Sequence, residues 1–380
     1  MNTAAATSTR AHTPLGLADA LEGCLLGTAA GDMLGLPFEN LSRAHVGRLL
    51  RGQPLEQSLL LRRGLVSDDT EHTVMLARSL LDEPDDAPRF ARRFAARLRW
   101  WLLSAPPGVG SATARGILKL WIGFPPSRSG VSSAGNGPAM RAALIGVVCG
   151  DDTGRLVKFT RASVVLTHTD PRACDGALLV ACAAACSRRL GGCAPAAALD
   201  ALVAAHACAS AGRVDSFVEP LAGMRTALAQ GLDVGAYARS IGCERGVTGF
   251  VMHTVPVAVF AWILHSADFR RGITEVVRCG GDTDSVAAIA GAILGTGLGA
   301  QAIPAAWLSR TFEYPGTIAR LRRLAHRLEA RELTGSGAPS AVERWTECAW
   351  WPAMLLRNLA MFGLLIGVLI RRSLRIALSR

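Results

Sequence analysis

Apolar and polar positions along the chain recur with the period of a helix almost throughout. Small or apolar residues at Leu17, Ala20, Leu21, Cys24, Leu25 and Thr28 mark one face of a first helix, with Thr13 as its N-cap and Pro14 at its first position. The same spacing predicts helices over 88–103, 114–121, 156–166, 172–190, 194–209, 217–229, 249–265 and 269–278. Pro171 pushes Asp170 out of the helical region and restarts the chain as a helix, whereas Pro256 falls inside a helical pattern and predicts a kink. No stretch alternates apolar with polar residues or carries a β-branched hairpin pattern, so the predicted fold is all-α. Gly23, Gly27, Gly31 and Gly35 recur every four residues, a bare face against which another helix or a ligand can lie very close.

Composition sharpens this picture. A chain of 380 residues can bury a large core in one domain or two, and 50% hydrophobic residues with 40 glycines and few aromatics point to closely packed helices. The net charge of +11 raises the question of a nucleic-acid partner. Five arginines and no acids follow from Arg357 onward, and no basic stripe is interleaved with aromatics, so no nucleic acid is expected. The ten cysteines form no Cys-x-x-Cys pair, and those in Ala-rich segments read as small buried hydrophobes of a reducing, cytoplasmic compartment.

Residues 1–13 carry no apolar core of a secretory signal and read as a flexible lead to a body spanning 14–334. Residues 335–340, rich in Gly, Ser and Pro, read as a linker, and 341–380 as an apolar, Arg-flanked helix. Its thirteen uncharged residues, 358–370, are short for a span of about 20. Trp345, Trp350 and Trp351 before the run and arginines after it look like interfacial anchors. This helix is expected either to contact the cytoplasmic face of a membrane or to pack on the body or on a second copy.

The candidate chemistry lies in two acidic turns far apart in sequence. Cys279-Gly280-Gly281-Asp282-Thr283-Asp284-Ser285 places three oxygen side chains at the mouth of a small-residue helix, with Asp282 in position to be its N-cap. Ser67-Asp68-Asp69-Thr70-Glu71 repeats the arrangement upstream. Hard divalent cations take such oxygen ligands, and two such turns facing each other could complete a shell that neither fills alone. Asp151-Asp152-Thr153 has similar letters and reads as an ordinary turn and helix start.

Other stretches suit an anionic ligand. Gly108-Val109-Gly110-Ser111 leads into a helix and has the makeup of a phosphate cradle. Asn136, between Gly135 and Gly137, can adopt a left-handed conformation and aim backbone amides at a ligand. His168 either bonds a ligand or ends a helix. Glu39, in a proline-containing loop among apolar neighbours, is a candidate acid or base of raised pKa.

In this order, with Gly31-Asp32 and Gly35-Leu36-Pro37-Phe38-Glu39 first and Thr167-His168-Thr169-Asp170-Pro171-Arg172 fifth, the six motifs resemble the ADP-ribosylglycohydrolases, the group that includes dinitrogenase reductase-activating glycohydrolase. The likeness runs from about Leu17 to about Trp307 and leaves the tail unaccounted for. It implies a compact all-α domain with two magnesium or manganese ions in a central cleft, held by Ser67, Asp68 and Asp69 from one side and by Asp282, Asp284 and Ser285 from the other. Glu39, Asp68 and Asp284 would carry the chemistry. Gly108, Gly110, Ser111, Gly135, Asn136, Gly137, Met140 and His168 would embrace ADP-ribose, with Val109 where some members have an aromatic. The implied function is hydrolytic removal of ADP-ribose from ADP-ribosylated protein or a related conjugate. The other reading is an inactive relative that only binds ADP-ribose or metal.

Overall fold

The structure, a computed structural model, describes residues 15–59, 62–213, 215–312, 317–336, 340, 352–360, 362–363 and 367. The first half of the chain forms Leu17–Gly35 (α1), Arg43–Leu50 (α2), Asp68–Asp82 (α3), Ala87–Leu103 (α4), Ser111–Trp121 (α5), Ala143–Cys149 (α6), Thr153–Val164 (α7) and Pro171–Leu190 (α8). The second half forms Pro195–Ala209 (α9), Val218–Ala229 (α10), Val234–Ser240 (α11), Val251–Leu264 (α12), Phe269–Arg278 (α13), Thr283–Leu298 (α14), Ala305–Ser309 (α15) and Thr317–Thr334 (α16). Among the described residues β-structure is confined to isolated bridges between loops, so the fold is all-α. The first helix begins at Leu17 with Gly16 as its N-cap, not at Thr13-Pro14, which lie outside the described residues. Pro256 sits inside α12 among buried neighbours.

The core is built around α1 and α14, both buried along most of their length. The recurring glycines explain how closely they lie. A Cβ added at Gly23 would fall 1.9 Å from the carbonyl oxygen of Gly295, at Gly27 2.1 Å from that of Gly291, and at Gly31 2.0 Å from that of Ala287. The partners descend by four as the glycines ascend by four, so the helices run antiparallel, backbone on backbone. The ladder ends where Gly35, at the C-terminus of α1, meets Thr283 and Asp284 at the N-terminus of α14; Thr283 Oγ1 donates to Gly35 O at 2.8 Å. The loop carrying Glu39 and the Asp282 turn are thereby brought to one end of the core.

Gly27→Ala is expected to destabilise the protein by about 2 kcal/mol in denaturant unfolding. Overpacking against a backbone carbonyl costs about 1–3 kcal/mol or more, which outweighs the gain of up to about 1 kcal/mol in helix propensity.

The chain beyond α16 is helical again over 352–360. Asn358 is fully buried and donates through Nδ2 to the carbonyl of Ser104 at 2.8 Å and to its hydroxyl at 3.1 Å. Arg357 pairs with Glu71, whose other carboxylate oxygen accepts from Trp101 Nε1 at 2.6 Å. This part of the tail therefore lies against α3 and the end of α4. Trp345, Trp350, Trp351 and most of the following apolar run lie outside the described residues. Among the described residues no helix is long and apolar enough to cross a membrane.

Candidate functional site

The two acidic turns meet in a cleft of about 640 Å³, of a size to take a nucleotide-like ligand. It is lined by Glu39, Ser67, Asp68, Asp282, Asp284 and Ser285 together with Gly108, Gly110, Ser111, Gly135, Asn136, Gly137, Met140 and His168. Asp69 is the exception among the expected residues: it lies behind the wall. Its Oδ2 accepts from Ser67 Oγ at 3.2 Å and Ser285 Oγ at 3.3 Å, which ties the two acidic turns together, while its Oδ1 is buried without a partner.

Asp282 stands at the N-cap position of α14 but makes no cap hydrogen bond with its side chain. It is held outward instead by Asn136, whose Nδ2 donates to Asp282 Oδ2 at 2.7 Å and to Thr254 Oγ1 at 3.1 Å. Asn136 thus acts through its side chain, and it is absent from the residues of positive φ, so the expected left-handed conformation is not adopted. The flanking glycines are required for a different reason: a Cβ on Gly135 or on Gly137 would fall 3.1 Å from the ring of His168. Positive φ is found at Gly108, at 80°, and at Gly280 and Gly281, at 71° and 88°, where the chain threads between Leu41 and Val247.

Asp32 is the residue to which sequence reasoning gave no role. It is fully buried near the end of α1, and its carboxylate accepts from Ser67 N at 3.0 and 2.9 Å, Thr70 N at 3.2 Å and Thr70 Oγ1 at 2.5 Å. It caps α3 from a neighbouring helix and so fixes the direction of the Ser67-Asp68 turn. The one signal it left is a carboxylate on a helix otherwise made of apolar and small residues. With a cation in the acidic turns, Asp32→Ala would weaken its binding by about 10–100-fold in isothermal titration with Mn²⁺, the usual loss when a group that orients a metal ligand is removed.

Burial raises the pKa of all six carboxyls here, to about 6 for Asp32 and well above the ordinary value for Asp68, Asp69 and Asp284. For Glu39, Asp68, Asp69 and Asp284 the charges of neighbouring carboxylates push in the same direction. Asp284 Oδ1, like Asp69 Oδ1, is buried with no hydrogen-bond partner. Among the described residues no group of three His, Cys, Asp or Glu side chains is placed to hold a metal ion. The donor set nevertheless suits a hard cation: an excess of buried carboxylate charge, two orphaned carboxylate oxygens and the hydroxyls of Ser67 and Ser285.

The glycine-rich part of the lining is built for negative charge. Gly110 is the N-cap of α5 and offers no side chain, leaving the amides of its first turn open to the cleft beside Thr113. Behind it Arg141, fully buried, donates to Gly137 O, Ser163 O, Ser163 Oγ and Thr167 Oγ1, each at 3.1 Å. Burial lowers its pKa to about 9, against the pull of Asp68, so it stays charged at neutral pH. Burial, with Arg141 adding to it, drives His168 down to about 3 and keeps the ring neutral. Thr167 Oγ1 accepts from Arg141 and can give its own proton to His168 Nδ1, 2.9 Å away. With that assignment Nε2 carries the ring proton, on the side facing Gly135. Asp152, the look-alike, accepts from Arg155 N at 3.0 Å as an ordinary N-cap of α7 and takes no part in the cleft.

Fold and cleft together define an all-α protein with an acidic, nucleotide-sized pocket at one end of its core. Residues 13–337 match the family profile of the ADP-ribosylglycohydrolases, and the chain belongs to that family. An uncharacterized protein of Archaeoglobus fulgidus is 32% identical over 299 residues, covering 75% of this chain and 89% of its own length. The ADP-ribosyl-[dinitrogen reductase] glycohydrolase of Rhodospirillum rubrum is 26% identical, covering 76% of this chain and 88% of its own. Human ADP-ribosylhydrolase ARH3 is 28% identical, covering 75% and 87%. A solved ADP-ribosylglycohydrolase-related protein complex superposes with a TM-score of 0.56 and 25% identity, over 83% of this chain and 99% of that one.

Proposed function

We propose that the protein is a divalent-cation-dependent hydrolase that releases ADP-ribose from ADP-ribosylated protein side chains or a related conjugate. The observation that carries this reading is the meeting, in one cleft, of the carboxyls of Glu39, Asp68, Asp282 and Asp284, backed by the buried Asp32 and Asp69, with a helix N-terminus open to an anion. The names of the relatives, hydrolases of ADP-ribosyl conjugates, agree with it.

Ser67, Asp68, Asp282, Asp284 and Ser285, which line the cleft, would hold two magnesium or manganese ions, with Asp69 behind them tying Ser67 to Ser285. Once bound, such ions supply positive charge to the buried carboxylates and Lewis acidity toward ribose hydroxyls and a water. The rest falls to the chain itself. The open amides at Ser111 and Ala112, with the Nε2 proton of His168, would bind the diphosphate and set the distal ribose against the acidic wall. Glu39, raised by burial and by Asp282, is suited to move a proton at the scissile C1″ bond, where positive charge develops as in other glycoside cleavage. Asn136 would keep Asp282 turned into the cleft.

The test is release of free ADP-ribose from a panel of ADP-ribosylated arginine, ADP-ribosylated serine and O-acyl-ADP-ribose, with Mg²⁺ or Mn²⁺ and again with chelator. Turnover of at least one conjugate, lost on chelation, is the expected result. Tight ADP-ribose binding without turnover of any conjugate would replace this reading with that of a binding relative.

A further inference from the structure

Exposed large apolar side chains are concentrated on one side of this molecule. Among the described residues there are twelve, and six belong to the ends of α4 and α5 and the turn that follows: Trp100, Leu103, Leu118, Trp121, Ile122 and Phe124. Ile122 is 75% exposed and Leu118 55%. Trp100 and Leu103 are three apart on α4, Leu118 and Trp121 three apart on α5, and the rings of Trp100 and Trp121 meet edge to face at 6.2 Å, so the two stripes form one face. Leu356, Leu359 and Phe362 make a third stripe at helical spacing on the C-terminal segment. The bond of Asn358 to Ser104, the residue after Leu103, moors that segment at the edge of the same face. Six of the twelve on the α4–α5 ends, with three more on the segment moored beside them, make a patch rather than scatter, and such patches mark interaction surfaces.

The charge around the patch identifies what covers it. Between Ala87 and Gly150 there is no acidic residue. Arg92, Arg99, Arg115, Lys119 and Arg128 have no ion-pair partner among the described residues, while Arg99 and Lys119 lie over the rings of Trp121 and Phe124 at 5.8 and 4.9 Å. Tryptophans and aliphatic side chains interleaved with unpaired cations match a lipid surface with anionic headgroups. A protein partner would require acidic groups set among apolar ones in a matching pattern. A second copy of the same face would bring like charges together, which the arrangement disfavours.

We propose that the α4–α5 face, extended by the C-terminal segment, is a docking surface for an anionic phospholipid bilayer, on which the protein lies without inserting a helix through it. The loop between these helices, Ser104 to Gly110, supplies Pro107, Gly108 and Gly110 to the cleft wall.

The experiment is co-sedimentation of the full chain with vesicles of phosphatidylcholine alone and with one quarter phosphatidylglycerol, beside a variant carrying Trp121→Ser, Ile122→Ser and Phe124→Ser. All three positions are exposed and far from the acidic turns, so circular dichroism and thermal unfolding serve as controls for an intact fold. The expected result is binding to the anionic vesicles at least about tenfold stronger than to neutral ones, weakened by added salt, and about tenfold weaker in the variant. Wild-type protein that stays in the supernatant overturns the proposal. So does a variant that binds like wild type, which would assign binding to the tail alone, and so does a concentration-dependent dimer, or duplex-DNA binding, that the same substitutions abolish while vesicles are ignored.

Discussion

Asp284→Asn is expected to lower ADP-ribose release by about 10³-fold or more while leaving the cation-free protein as stable as wild type or more so. The two halves of that expectation have one cause. Asp284 is 5% exposed, one of its oxygens has no partner, and burial together with Asp282, Glu39, Asp69 and Asp32 opposes its charge. A group so placed does nothing for an empty fold. Its ionised form is useful only when a counter-charge sits in the cleft, and losing several kcal/mol of cation and transition-state stabilisation at about 1.4 kcal/mol per decade gives the stated loss in rate. Steady-state kinetics paired with thermal unfolding in chelator check both halves. A variant that unfolds overturns the stability half, and one that retains full turnover removes Asp284 from the chemistry.

Addition of Mg²⁺ or Mn²⁺ should raise the melting temperature by several degrees, and by more at pH 8 than at pH 5. A ligand present at a hundredfold excess over its Kd stabilises by about 2.7 kcal/mol, enough for such a shift in a chain of this size. The pH dependence follows from the carboxyls. Each has an ordinary value of 3.8 for Asp in the unfolded chain and a higher one when folded, about 6 for Asp32 and well above ordinary for Asp68, Asp69 and Asp284. Between those values the folded protein binds more protons than the unfolded one. Without cation, therefore, stability falls as pH climbs from about 4 through the folded values. A bound cation favours the ionised carboxylates and should flatten or reverse that slope. Differential scanning calorimetry across this range, with and without cation, reads it directly; a cation-independent profile would remove the metal from the site.

Much of this architecture is legible in the sequence because its signals are local. The helix expected over 269–278 is found as Phe269–Arg278, and Pro171 starts α8 with Asp170 as its cap. The glycine spacing on α1 announced a close partner, although only the structure identifies it as α14. What escaped reading depends on contacts between distant segments. Asp282 reads as a cap because nothing nearby reveals that Asn136, 146 residues away, holds it outward. Asn136 between glycines reads as a left-handed turn, when the small residues in fact make room for the His168 ring. Asp32 and Arg141 are fully buried charges, and nothing in sequence separates them from surface ones until Ser67 and Thr70, or Ser163 and Thr167, are seen around them. Asp69 sits one residue from Asp68, yet the first helical turn directs it behind the wall, tying Ser67 to Ser285.

The glycine ladder of α1 and α14 also governs how the protein can change over time. With backbone pressed against backbone, no flexible side chain lies between the helices to absorb a shift, and each carries one of the acidic elements at its end. A single methyl group far from any substrate would move Glu39 and Asp284 relative to each other as a screw thread moves its nut. The tolerance of the chemistry is therefore set by residues that have no chemistry of their own.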